Sequence, residues 1–201
     1  TSTTYNGNLG GLSGADAKCQ DRASAANLGG TWKAWLSDST TSAASRLNHS
    51  NNPYKLLDGT KIADSWTALT TGSSSSFTNP INKDEKNTLI AGFSPVWTNT
   101  QWHGGITSTN ASYGSCNNWT NFSSNQSAGY GGAVFSGNNW TEGTSGPCSS
   151  QFRLYCFEQT SAPSPTPAPA CTLQQLKDAF GTKTGDSKFN PSCDLNNDTF
   201  I

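Results

Sequence analysis

The sequence predicts an α+β domain, rich in loops and held by disulfides, followed by a small appendage. Three observations carry this reading. Near the N-terminus, SGADAKCQDRASAAN places Ala15, Cys19, Ala23 and Ala26 on one helical stripe. Further on, FRLYCF alternates Phe152, Leu154 and Cys156 with Arg153, Tyr155 and Phe157, the pattern of a strand with one buried face. Between about residues 70 and 145, turn-forming Ser, Thr, Asn and Gly dominate, and Trp97, Trp102, Trp119 and Trp140 are spaced as anchors for irregular chain.

The elements follow in order. TSTTYNG reads as an opening strand ended by a turn. Ser13 is a good N-cap for the helix, with Asp16 three residues on as in a capping box and Leu12 placed to staple onto Ala17. Leu28-Gly29-Gly30 is the expected stop. A strand is expected over Trp32 to Leu36, a short second helix over Ala43 to Asn48, and a hairpin in YKLLDGTKIA turning at Asp58-Gly59. Ser65 is placed to cap a helical turn. Short strands are expected at SPVWT, SCNNWT and AVFSG.

Composition narrows the function. Only 12% of residues are charged and the net charge is −1, so nothing favours nucleic acid or an anionic membrane. There is no apolar run long enough to insert in a membrane. Six cysteines without a C-x-x-C or Cys/His metal spacing fit an extracellular or cell-surface location. SAPSPTPAPA, at 161–170, reads as an extended polyproline spacer. The expected organisation is therefore a domain at 1–159, a linker at 160–170 and a small segment at 171–201. That separation leaves three pairings open for Cys19, Cys116, Cys148 and Cys156, and pairs Cys171 with Cys193.

The order of helix with Cys19, strand TWKAWLSD, long loop region, Cys116, Trp140 before Cys148, and a last strand with Cys156-Phe157-Glu158 resembles the C-type lectin-like fold. KCQDRASAANLGGTWKAWLSD, KLLDGTKIADSWTALTTG, VWTNTQWHGG and SCNNWT are similar, in the same order, to segments of its endostatin branch. The opening TSTTYNGNLGGLSGADAKCQ also resembles a group of bacterial secreted or surface domains. The resemblance implies an endostatin-like fold with Cys19 bonded to Cys156 and Cys116 to Cys148. It does not bring the calcium-dependent sugar site of lectins. The Glu-Pro-Asn or Gln-Pro-Asp triplet is absent, and Trp-Asn-Asp is replaced by Trp140-Thr141-Glu142. Endostatin's zinc and heparin sites do not transfer either, because TSTT lacks histidine and arginine is scarce. No cofactor is expected in the main domain.

Trp102, His103, Trp119 and Tyr130 lie among Asn117, Asn118 and Asn139, and rings beside neutral amides suit a neutral glycan. These seven are the candidate ligand-binding residues. No nucleophile, base and orienting group fall together, so no catalytic residue is expected. In the C-terminal segment, Asp194, Asn196 and Asp198 occupy positions 1, 3 and 5 of an EF-hand-type loop, with the Phe200 carbonyl at position 7. This resembles half of a dockerin-like repeat and implies a Ca2+ site, although Thr199 replaces the usual glycine. It also implies a cohesin-like or self-assembly partner. The expected function is a non-catalytic adhesion module for an extracellular glycan or protein. The alternative is a structural subunit of an extracellular fibre, pilus or surface layer.

Overall fold

In the computed structural model, which describes residues 1–71, 77–106, 114–159, 181–183 and 186, helix α1 runs over Gly11–Ala25. It starts two residues before the expected Ser13 cap, and glycines rather than a side chain shape its entry. Gly10 is left-handed (φ 83°), and a Cβ on Gly14 would sit 2.2 Å from the Leu9 carbonyl oxygen. Asp16 does not close a capping box. Its carboxylate accepts from the Ala34 amide (2.9 Å) and pairs with Arg46, tying the helix to the chain that follows. At the other end Asn27, at φ 56°, supplies the left-handed stop expected of Gly29-Gly30. The Asn27 and Leu28 amides donate to the Ser24 and Ala23 carbonyls, the Schellman pattern.

Strand β1, Thr31–Ala34, pairs antiparallel with β8, Cys156–Gln159, with Ala34 opposite Cys156. Short helix α2, Ala43–Arg46, is capped by Ser42. The hairpin of β2, Tyr54–Lys55, and β3, Lys61–Ala63, turns where expected, with the left-handed Gly59 donating to Leu56. Ser65 caps α3, Trp66–Thr70. A four-stranded sheet, ordered β6-β5-β4-β7, joins β4 (Pro95–Trp97), β5 (Ser127–Gly132), β6 (Thr144–Pro147) and β7 (Arg153–Leu154). Within it β4 and β7 run parallel and the other pairs antiparallel.

Four expected strands take another form. The opening TSTTYNG makes only an isolated bridge, Tyr5 to Phe152. FRLYCF is not one strand. It breaks at Tyr155 into β7 and β8, which serve different sheets, and Tyr155 itself is buried. AVFSG is not a strand either; pairing ends at Gly132, and the glycine-rich SAGYGG just before it is β5. Low β propensity is overridden there by close approach, since a Cβ on Gly131 would lie 1.9 Å from the Trp140 carbonyl oxygen. SCNNWT forms a turn, Cys116–Trp119, in which φ is 50°, 52°, 54° and 64° at successive residues. Left-handed backbone costs about 1–2 kcal/mol per ordinary residue. The turn is held by the Cys116–Cys148 disulfide, by the Ser115 hydroxyl accepting from the Asn118 amide, and by Leu9 and Gly10 amides donating to the Trp119 carbonyl.

Among the described residues the disulfides are Cys19–Cys156 and Cys116–Cys148, spanning 137 and 32 residues. Two buried clusters flank the four-stranded sheet. One gathers Trp35, Ile62, Leu69, Phe77, Val96, Trp140 and Tyr155; the other gathers Leu9, Cys19, Leu36, Trp97, Trp119, Cys148 and Leu154. The chain divides into compact units Thr1–Thr160 and Ser161–Ile201. Cys171, Cys193 and the expected calcium ligands Asp194, Asn196, Asp198 and Phe200 lie outside the described residues.

Candidate functional site

The loops around β4 and β5 carry their own interior hydrogen bonds. Trp35 Nε1 donates to Thr141 Oγ1 (2.7 Å), which donates in turn to the Thr100 carbonyl (2.9 Å). Thr98 Oγ1 donates to the Thr141 carbonyl (2.5 Å), and the Ser37 and Thr100 hydroxyls meet at 2.8 Å. Buried backbone that cannot join a ladder is satisfied here by hydroxyls. Thr141 stands where the lectin pattern would put a calcium-binding asparagine, and its hydroxyl is spent in the core.

The candidate ligand-binding residues are dispersed by this frame. Trp119 is fully buried, donates Nε1 to the Ser37 carbonyl (2.9 Å), and is a core anchor rather than a surface ring. That corrects its place among the surface candidates. Asn117 and Asn118 are exposed, but their side chains are engaged locally: Asn117 donates to Thr120 Oγ1, and Asn118 Oδ1 accepts from the Ser39 amide and the Ser115 hydroxyl. Trp102 is half-buried and meets the exposed His103 edge-on at 5.0 Å, in a loop docked on α2 through the Gly104 carbonyl and Ala44 amide. Asn139 is exposed on the 3-10 turn Asn138–Trp140. The two histidines make backbone hydrogen bonds: His103 Nδ1 accepts from the Gly105 amide, and His49 Nε2 meets the Ala44 carbonyl while its ring stacks on Trp66. Among the described residues no three His, Cys, Asp or Glu side chains converge on a metal-binding point.

Tyr130, half-buried on β5, leads to a surface feature. A row of rings climbs from core to solvent, from Trp97 to Phe152 (4.2 Å between centroids), Tyr130 (4.7 Å), Phe93 (6.4 Å) and Phe135 (6.1 Å). Phe93 is 61% exposed and Phe135 38%. Glycines let the rings lie close to the sheet. A Cβ on Gly132 would come within 2.8 Å of the Phe135 ring and 3.2 Å of Phe93, and one on Gly146 within 3.1 Å of Phe152 and Tyr130. Sequence reasoning missed Phe93 and Phe135. Their signal was a large ring among turn-formers, Phe93 in AGFSP and Phe135 just after Gly-Tyr-Gly-Gly, where no apolar periodicity explains it.

This arrangement of α1, the β1–β8 ribbon, the hydroxyl-pinned loops and the two disulfides is a C-type lectin-like one. The family model described as collagenase NC10 and endostatin matches residues 2–162. The chain belongs to the endostatin family. No curated protein matches it. In this endostatin domain, Cys19–Cys156 joins the first helix to the last strand and Cys116–Cys148 closes the long loop, the pairing the resemblance implied. No described helix is long and apolar enough to cross a membrane.

Proposed function

We propose that this endostatin domain is a non-catalytic adhesion module, secreted or displayed at the cell surface, that binds a neutral polysaccharide on the Phe93–Tyr130–Phe135 platform without calcium. The observation that carries the reading is the exposure of Phe93 and Phe135 in a ring row rooted in the core. Rigidly seated rings offer flat apolar faces to sugar C–H groups at little entropic cost. The low charge of the chain favours a neutral partner over a sulfated or acidic one. The segment at 171–201 enters the proposal through its sequence alone, as a calcium loop that links the module to a partner or a second copy.

The test is retention on a panel of insoluble and arrayed neutral polysaccharides, with and without chelator. Phe93→Ala and Tyr130→Ala should each weaken binding about tenfold, the worth of one stacked ring, and chelator should change nothing. Absence of retention on every polysaccharide, or its loss with chelator, overturns the reading. Self-association that Phe93→Ala abolishes, with no glycan bound, would favour the structural subunit instead.

A further inference from the structure

An open groove of about 610 Å3 is lined by Thr120, Asn121, Phe122, Ser123, Ser124 and Ser149. The volume falls within the roughly 300–1,000 Å3 of small-molecule sites. The ring platform sits beside Gly132, at one end of β5, where a Cβ would meet Phe135 and Phe93. The groove sits beyond the other end, where Ser127 pairs with Pro147 and the Cys148 amide donates to the Gln126 carbonyl (2.8 Å). The inner disulfide ties its two walls together. Residues 120–124 follow the Cys116–Trp119 turn, and Ser149 follows Cys148. Backbone bonds tighten the clamp: the Thr120 and Asn121 amides donate to the Cys116 carbonyl, and the Gly7 amide to the Cys148 carbonyl (2.8 Å). Walls fixed in this way lose little freedom when a ligand enters.

The polar groups of the lining divide into two sets. Thr120 Oγ1 is engaged with the Asn117 carbonyl and Nδ2, and Ser123 Oγ accepts from the Asn125 amide. Asn121 Oδ1 accepts from the Ser123 amide at 2.6 Å, which sets the plane of the side-chain amide and leaves its Nδ2 to donate outward. The hydroxyls of Ser124 and Ser149, both exposed residues, have no partner among the described residues. Beside them Phe122 is 60% exposed and stands apart from the row that runs from Trp97 to Phe135. None of the six lining residues is ionisable. The groove therefore offers one ring face, two free hydroxyls and one amide donor, all reachable from solvent.

We infer that this groove is a second binding site, for a neutral pyranose unit, free or part of a longer glycan, that lays a C–H face on Phe122 and bonds its hydroxyls to Ser124, Ser149 and Asn121. A serine hydroxyl both donates and accepts, as a sugar hydroxyl does, so the match is reciprocal. An acidic or sulfated sugar would give up water here with no charged side chain to replace it, and that cost selects the neutral unit. The site shares no residue with the ring platform and is independent of the reading proposed for it.

The probes are maltose, cellobiose, lactose and N,N′-diacetylchitobiose, each titrated into the isotope-labelled full chain and followed by amide chemical shifts. At least one should give saturable shifts confined to residues 120–124 and 149–150, with a dissociation constant on the order of 1 mM. Phe122→Ala should weaken it about tenfold, the worth of one stacked ring. Ser124→Ala and Ser149→Ala, each of which removes one exposed hydroxyl, should weaken it about threefold. Intermolecular NOEs from sugar ring protons to the Phe122 ring of the unaltered protein should accompany the shifts. No saturable shift with any probe at about 20 mM, equal binding by Phe122→Ala, or absence of those NOEs would overturn the assignment. So would equal shifts with cyclohexanol, which would reduce the groove to an apolar patch, and loss of the shifts in Phe93→Ala, which would place the sugar on the platform.

Discussion

Removing the inner disulfide by Cys116→Ala/Cys148→Ala should cost less stability than removing the outer one by Cys19→Ala/Cys156→Ala. The loops spanned are 32 and 137 residues. Chain entropy assigns about 4 kcal/mol to the shorter loop and about 5 kcal/mol to the longer. The inner bond lies within the outer loop and shortens its effective length, so the difference narrows to about 1 kcal/mol. A second effect acts in the same direction. Without its bond, the left-handed turn from Cys116 to Trp119 is free to relax, which returns part of the roughly 1–2 kcal/mol held at Cys116 and at Trp119, the two residues of the turn other than Asn. Urea unfolding of the three proteins by tryptophan fluorescence measures the quantity directly, because Trp35, Trp97, Trp119 and Trp140 are all buried and report one cooperative loss of packing. At roughly 2–4 °C per kcal/mol for a domain of this size, the inner variant should melt about 8–16 °C lower. An inner variant less stable than the outer one would refute the reasoning. It would mean that the turn is an unstrained support for the loops and that native packing, not the unfolded chain, sets the value of the bond.

Gly131→Ala should prevent folding or cost about 4 kcal/mol or more: its Cβ would fall 1.9 Å from the Trp140 carbonyl oxygen and 2.6 Å from the Thr141 nitrogen, both backbone atoms, and a near-native melting temperature would show that Trp140 does not close over β5. Glu85 bears on acid stability. Burial alone would raise its carboxyl, but the hydroxyl and amide of Ser2 donate to it and hold it below the ordinary value. A depressed acid stabilises the fold fully above its unfolded value, about 4.3, and the stabilisation is lost as pH falls through the folded value. The urea midpoint of Glu85→Gln, compared with the unaltered protein, should therefore show a deficit at pH 7 that shrinks below about pH 4; a deficit independent of pH would remove the carboxylate from the account.

Features that rest on local chemistry were legible in the sequence. Ser42 was not singled out, yet the helix it caps was placed correctly at Ala43, and the Ser65 cap and Gly59 turn stand where expected. Family order carried the cysteine pairing, which spacing alone left open. Failures came where tertiary contact overrides propensity. Nothing within SAGYGG announces a central strand, because the reason for its glycines is the Trp140 backbone pressed against them. SCNNWT was expected as a strand, yet Asn117 and Asn118 favour left-handed backbone over a strand, and the covalent bond of Cys116 and the burial of Trp119 hold the turn in that form. Asp16 fitted a capping box by position, but a carboxylate within reach of both Ala34 and Arg46 is worth more there than at an N-terminus already shaped by glycine.

The misplacement of Trp119 has a more general cause. In a domain with long irregular stretches, buried carbonyls need donors that no strand provides. An indole supplies one N–H together with the largest apolar surface of any side chain. Trp35, Trp97 and Trp119 each use that donor inside the fold, toward Thr141 Oγ1 and the Tyr5 and Ser37 carbonyls. Phenylalanine has no donor to offer, so it is of little use in satisfying loop backbone and can be left at the surface without orphaning a buried group. Phe93, Phe122 and Phe135 are the exposed phenylalanines among the described residues. In this loop-rich domain the buried indoles of the irregular region therefore anchor the core, while Phe93 and Phe135 can stand at the surface. The ring platform follows from that division: its root is Trp97, whose Nε1 is committed to Tyr5, and its exposed end is Phe93 and Phe135.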